Sequence, residues 1–66
     1  MLWSYIKEYV AISVESSVRG ERLDRAIWLM AKLHRAGFTS FELEELSGGR
    51  WSNSTIRGYT RGSGGG

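Results

Sequence analysis

The chain has 66 residues, with nine lysines and arginines against seven acids, one histidine, and neither cysteine nor proline. A chain of this length builds one domain at most and buries only about 60% of its unfolded surface. Disulfides, thiolate metal sites and His-rich metal sites are excluded by composition, so helix packing or self-association must supply the stability. No stretch approaches the about 18 consecutive apolar residues of a membrane span. The apolar start "MLWSYIKEYVAI" is cut by Lys7 and Glu8 and lacks the basic run of a signal peptide. With no cysteine either, an intracellular, cytoplasmic protein is expected.

In the first segment, Leu2, Trp3, Ile6, Tyr9 and Val10 share one helix face and predict a helix over Leu2–Ile12. A strand is the alternative over residues 9–15, because Val10, Ile12 and Val14 alternate with Ala11, Ser13 and Glu15. A lone strand would need a partner, which only another copy of the chain offers. The apolar face is larger than a small helical core needs. Leu2, Trp3, Ile6, Tyr9 and Val10 are therefore the expected interface of a homodimer, with residues 1–16 as an oligomerisation segment.

The stretch "SVRGERLDRAIWLMAKLHRAG" repeats Leu23, Ala26, Ile27, Met30, Leu33 and His34 at three- and four-residue steps, which predicts a helix over Arg19–Ala36. Ser17 is the expected N-cap, Glu21 suits the first turn, and Lys32, His34 and Arg35 suit the last. Gly37 supplies the stop. Trp28 and Leu29 lie off the main stripe, so this helix is expected to bury two faces. A third, short helix is predicted over Ser40–Leu46, capped by Thr39 or Ser40 and followed by Glu42. Phe38 is a candidate hydrophobic staple. Phe41, Leu43 and Leu46 are expected on one side, and Gly48-Gly49 ends the helix. The last helix starts after a Ser52 cap and runs to about Arg61, with Ile56, Tyr59 and Thr60 inward. "GSGGG", Gly62–Gly66, has the composition of a flexible tail. Trp28 and Trp51 are expected in the core.

Helix, short helix, glycine turn and capped helix together resemble the helix-turn-helix of DNA-binding proteins, and the winged-helix branch most. The resemblance rests on Phe38-Thr39 before a cap, Leu43 and Leu46 in the first motif helix, the "SGG" turn, and "SNSTIRGY" opening the second. It spans Phe38–Arg61, and the preceding helix takes the place of the support helix. The turn from Ser47 to Trp51 is longer than in the simplest members, and only Gly62–Gly66 stands where the wing would follow. The fold class implied is all-α: a three-helix helix-turn-helix core with an additional N-terminal helix, a strand being its alternative, forming a single domain over residues 1–61.

The charges support the same function. Residues 1–49 hold all seven acids and six of the nine bases, whereas residues 50–66 hold Arg50, Arg57 and Arg61 and no acid. Such asymmetry points to a polyanionic partner. Opposite Ile56, the last helix presents Ser54, Arg57, Gly58 and Arg61, bordered by Asn53 and Thr55. Arginine reads guanine edges and asparagine reads adenine. Serine and threonine at a helix N-terminus suit phosphate oxygens. Gly58 lowers helix stability by about 1 kcal/mol against alanine, and close approach of a DNA backbone is a reason to keep it. The expected DNA-binding residues are Arg50, Ser52, Asn53, Ser54, Thr55, Arg57, Gly58 and Arg61. No nucleophile–base pair is visible, so no catalytic residue, cofactor, metal or small-molecule substrate is expected. Glu42, Glu44 and Glu45 read as a solvated face that turns away from DNA. The function expected is a dimeric, duplex DNA-binding regulator of transcription or a DNA-targeting module. The alternative is a protein-interaction module that works through its apolar N-terminus.

Overall fold

The structure, a computed structural model, describes residues 2–65 of the chain, with side chains through residue 61. Four helices follow one another: α1 (Leu2–Ser13), α2 (Glu21–Arg35), α3 (Ser40–Leu46) and α4 (Asn53–Gly65), with no strand among the described residues. The strand alternative for residues 9–15 is thereby corrected. Tyr9, Ile12 and Ser13 lie on one helix face and are buried together, which the alternating pattern of a strand would separate. α2 lies between α1 and α4, and α3 closes the bundle against α4. None of the described helices is long and apolar enough to cross a membrane.

The ends of α2 and α3 follow from local chemistry. α2 begins at Glu21, later than Arg19, because Gly20 takes φ 63 and breaks the helical path. Ser17 is therefore not its cap, and no side chain caps this end. Glu21 and Asp24 occupy the first turn and Lys32, His34 and Arg35 the last, as the helix dipole favours. The stop is a Schellman motif: Gly37 has φ 116, its N–H reaches the His34 carbonyl at 3.0 Å, and the Phe38 N–H reaches that of Leu33 at 3.1 Å. α3 opens with a capping box in which Thr39 Oγ1 accepts from the Glu42 N–H at 3.1 Å and the Glu42 carboxylate accepts from the Thr39 N–H at 2.8 Å. It closes with the same motif as α2, with the Gly48 N–H to Glu45 O at 2.9 Å and the Gly49 N–H to Glu44 O at 3.0 Å.

The core consists of Tyr9, Ile12, Ala26, Leu29, Met30, Leu33, Leu43, Trp51 and Ile56, with Phe38, Leu23 and Tyr59 among the half-buried residues packed on it. Trp51 is a core residue, its ring stacked on Tyr9 at 5.9 Å. Trp28 is not: it is 40% exposed. Its ring meets Tyr5 edge-on at 5.5 Å and carries Arg25 and Lys32 over its faces. Two cations over one indole hold it at the surface. Phe41 is likewise 62% exposed while Leu43 is fully buried. At about 100° per residue, positions two apart fall on opposite sides of a helix, so Phe41 cannot share a face with Leu43.

Polar groups inside are paired. The Tyr9 hydroxyl donates to the Leu43 carbonyl at 2.9 Å. Ser47 Oγ donates to Glu44 O at 2.7 Å and accepts from the Trp51 N–H at 3.3 Å. That serine fastens the long turn before α4 to the end of α3. No described buried side-chain nitrogen or oxygen lacks a partner, as a small core requires when each orphan costs about 1–3 kcal/mol. Burial pushes the Tyr9 hydroxyl up to about 12, because the phenolate would lose water without gaining a cation.

Candidate nucleic-acid interface

α4 starts where Ser52 provides the cap. Ser52 Oγ accepts from the Thr55 N–H at 3.3 Å, and the Ser52 carbonyl takes the first helical bond from Ile56 at 2.9 Å. The same hydroxyl lies 3.1 Å from Ser54 Oγ and 3.0 Å from Thr55 Oγ1, so three hydroxyls cluster at this end. Ser52 itself is exposed. Ile56 and Thr60 are buried, and Tyr59 and Asn53 are half-buried. Ser54, Thr55, Arg57, Gly58 and Arg61 are exposed. The expected outer face of α4 is thus free of its own core. The helical backbone continues past Arg61 through residues 62–65, where composition predicts a flexible tail. Once a helix is nucleated, each further residue adds one bond, which even glycine can make. Gly66 of that tail lies outside the described residues.

The three arginines are not equivalent. Arg50 Nη1 donates to the Ser13 carbonyl at 3.4 Å and to the Glu15 carbonyl. α1 has no basic residue in its last turn, so Arg50 supplies the cation that its C-terminal end lacks. Its charge also joins in lowering the Glu15 carboxyl, which the Arg22 hydrogen bond chiefly holds down. Arg50 is therefore partly compensated, and it sits apart from the α4 face. Arg57 and Arg61 form no ion pair or side-chain hydrogen bond with the described residues. With Thr60 and His34 they line an open cleft between α4 and the end of α2. No acid lines it. His34 is exposed, and its Nδ1 lies 3.2 Å from the Phe38 carbonyl. Sequence patterns put His34 on the inward stripe of its own helix and give no sign that the packing of α2 on α4 brings it to the arginines.

None of the described acids lines this cleft. Glu42, Glu44 and Glu45 line a depression with Phe41, Gly48 and Gly49. Glu8 and Glu15 are held by Arg25 and Arg22. Arg25 grips Glu8 bidentately at 2.6 and 2.8 Å, and that hydrogen bond is the main cause of the lowered Glu8 carboxyl. These two pairs lock α2 to α1 and to the segment after it. The described residues contain no group of three or more His, Cys, Asp or Glu placed to hold a metal.

The five residues expected at a dimer interface divide. Trp3 is 65% exposed, and Leu2 and Val10 are exposed as well. Ile6 is half-buried against the core. Tyr9 is 0% exposed and cannot reach a partner, because its ring and hydroxyl are spent on Trp51 and Leu43. Val14, just past the helix, is exposed and completes a stripe of Trp3, Lys7, Val10 and Val14 at steps of four, three and four.

No protein-family model, curated protein or solved structure matches this chain.

Proposed function

We propose that the chain is a helix-turn-helix domain in which α2 supports, α3 positions and α4 reads duplex DNA. The observation that carries this reading is the outer face of α4. It presents Ser54, Arg57, Gly58 and Arg61 to solvent, with no described ion pair drawing the two guanidinium groups back onto the protein. The capped start of the helix offers hydroxyls and backbone N–H groups suited to phosphate oxygens. Arg57 and Arg61 are four residues apart and project within one turn of each other, as a groove-reading helix needs. Glu42, Glu44 and Glu45 line a separate depression with Gly48 and Gly49, and in this reading that depression turns away from the phosphates. In this reading Arg50 belongs to the periphery of the interface, because it also ties down the end of α1. The stripe of Trp3, Val10 and Val14 serves a homodimer, the symmetry that pairs two recognition helices with two half-sites.

That same stripe favours a second reading, a protein-interaction module whose arginines only solubilise it. Salt separates the two. Binding of labelled duplex by the wild type, Arg57→Ala and Arg61→Ala is measured across a salt series. Phosphate contacts make affinity fall steeply with salt, and each lost contact lowers that slope by about one. If Arg57 reads a base edge, its loss costs roughly 1–3 kcal/mol and relaxes sequence preference. Equal binding by all three proteins, or none at low salt, refutes the DNA reading.

A further inference from the structure

The cleft between α2 and α4 brings three nitrogen-bearing side chains from two helices, His34, Arg57 and Arg61, around the Thr60 side chain, with no acid in its lining. The imidazole in it is already oriented. His34 Nδ1 is 3.2 Å from the Phe38 carbonyl, and a carbonyl oxygen only accepts, so Nδ1 carries the hydrogen. In the neutral ring, Nε2 is then a bare lone pair, which repels an anionic oxygen. In the imidazolium, Nε2 also carries a hydrogen and donates. The ring can therefore bind an oxyanion in one protonation state only.

We infer that this cleft is a phosphodiester-binding subsite in which His34 donates from Nε2 as the imidazolium, beside Arg57 and Arg61, so that binding of a nucleic-acid phosphate takes up one proton. The inference rests on the DNA reading of α4 and extends the interface across to α2. The groups around His34 carry both signs. α4 presents Arg57 and Arg61, the turn after α2 presents the Phe38 carbonyl, and α2 itself carries Lys32 and Arg35 within two residues. A phosphate placed among them interacts more favourably with the imidazolium than with the neutral ring, and so draws the proton onto it. Histidine is the one side chain whose ordinary titration lies between about pH 5 and 8, so the coupling falls in an accessible range.

His34 is the only histidine, so its ring resonances need no assignment. The wild-type protein is titrated by NMR between pH 5 and 8 at low salt, alone, with a mixed-sequence DNA duplex, and with inorganic pyrophosphate. Duplex affinity is measured in parallel at pH 6 and pH 8 for the wild type and His34→Gln. The expected result is a rise in the titration midpoint of about 0.5 to 1 unit with duplex, and a complex about two- to sixfold tighter at pH 6 than at pH 8, a difference that His34→Gln abolishes. If duplex binds while the midpoint stays and His34→Gln keeps the wild-type pH dependence, the cleft assignment is overturned and the DNA reading stands. A midpoint that responds to pyrophosphate and not to bound duplex overturns the assignment to nucleic-acid backbone. Absence of duplex binding at every pH overturns the DNA reading and the cleft assignment together.

Discussion

Gly58 offers the sharpest separation between what the fold needs and what a partner needs. It is the sixth residue of α4, and its φ is not in the left-handed region. A Cβ built there meets no atom within 4 Å. Alanine thus fits the free protein without strain, and the helix-propensity difference stabilises the fold by about 1 kcal/mol. For a domain of this size that is a rise in Tm of about 4–8 °C. Glutamine, also a good helix former, fits the same open space. In the DNA reading, the effect on binding is expected to have the opposite sign. A DNA backbone lying close over Gly58 has no room for the added atoms, and overpacking costs typically about 1–3 kcal/mol. Gly58→Ala is expected to melt higher and bind duplex more weakly than the wild type, and Gly58→Gln to bind more weakly still. Thermal melts by circular dichroism and fluorescence anisotropy with labelled duplex read the two effects separately. Wild-type affinity in both variants, with the gain in Tm intact, would show that nothing approaches this face. A loss of Tm in Gly58→Ala would show that α4 is not packed as described.

Other perturbations test the elements that aim the helix. Ser52→Ala is expected to lower stability by roughly 1 kcal/mol in urea unfolding, and Ser54→Ala by less, because only Ser52 accepts a backbone N–H. Equal effects would place the helix start elsewhere. For Tyr9, raised to about 12 from an ordinary 10.0, the folded state holds the proton longer than the unfolded chain. Its contribution is complete below pH 10 and is lost as pH rises to 12, amounting to up to about 2 kcal/mol. Tyr9→Phe should flatten this alkaline loss at a cost of about 1 kcal/mol near neutrality, since the Leu43 carbonyl keeps its bond from the Ser47 N–H at 3.1 Å. Trp3→Ala together with Val10→Ala is expected to turn a dimer into a monomer in light scattering at high micromolar concentration. A wild-type protein that is already monomeric there refutes the α1 interface.

Where sequence and structure agree, local rules suffice. The capping box of α3, the Ser52 cap and the glycine stops after α2 and α3 are each decided within six residues, and each is legible from residue type alone. Periodicity places Ala26, Met30, Leu33 and Ile56 inside for the same reason. The misplacements share a different cause. Ser17 makes a reasonable cap until Gly20 adopts a positive φ three residues later. Trp28 belongs to a core by hydrophobicity, yet Tyr5 on α1 and two cations of its own helix keep it at the rim. Tyr9 belongs to an exposed stripe by spacing, yet its hydroxyl finds a carbonyl 34 positions away. In each case a contact or backbone turn outside the local pattern decides the outcome.

The same distinction sorts the arginines, and with them the candidate site. By sequence, Arg50, Arg57 and Arg61 form one uncompensated group at the end of the chain. In the fold, Arg50 closes the C-terminal end of α1, while Arg57 and Arg61 open onto a cleft shared with His34. A fold that needed the last two for solubility alone would gain as much from scattering them as from setting them one turn apart beside an oriented imidazole. Like charges brought together in this way repel in the free protein. At low salt that repulsion is relieved when an anion enters, so the arrangement is more costly than a solvated tail in the absence of a ligand. Replacing Arg57 or Arg61 singly by a neutral helix former such as glutamine should therefore leave the free protein slightly more stable at low salt, whereas Arg50→Gln should destabilise it through the lost carbonyl bonds. Urea unfolding of the three variants at low and high salt decides the matter. A gain for the α4 variants that vanishes at high salt, set against a loss for Arg50→Gln that persists in part at high salt, is the signature expected of two ligand-directed arginines and one structural one. A loss of similar size in all three would mean that the fold uses each of them, and would remove the physical basis for assigning α4 a polyanionic partner.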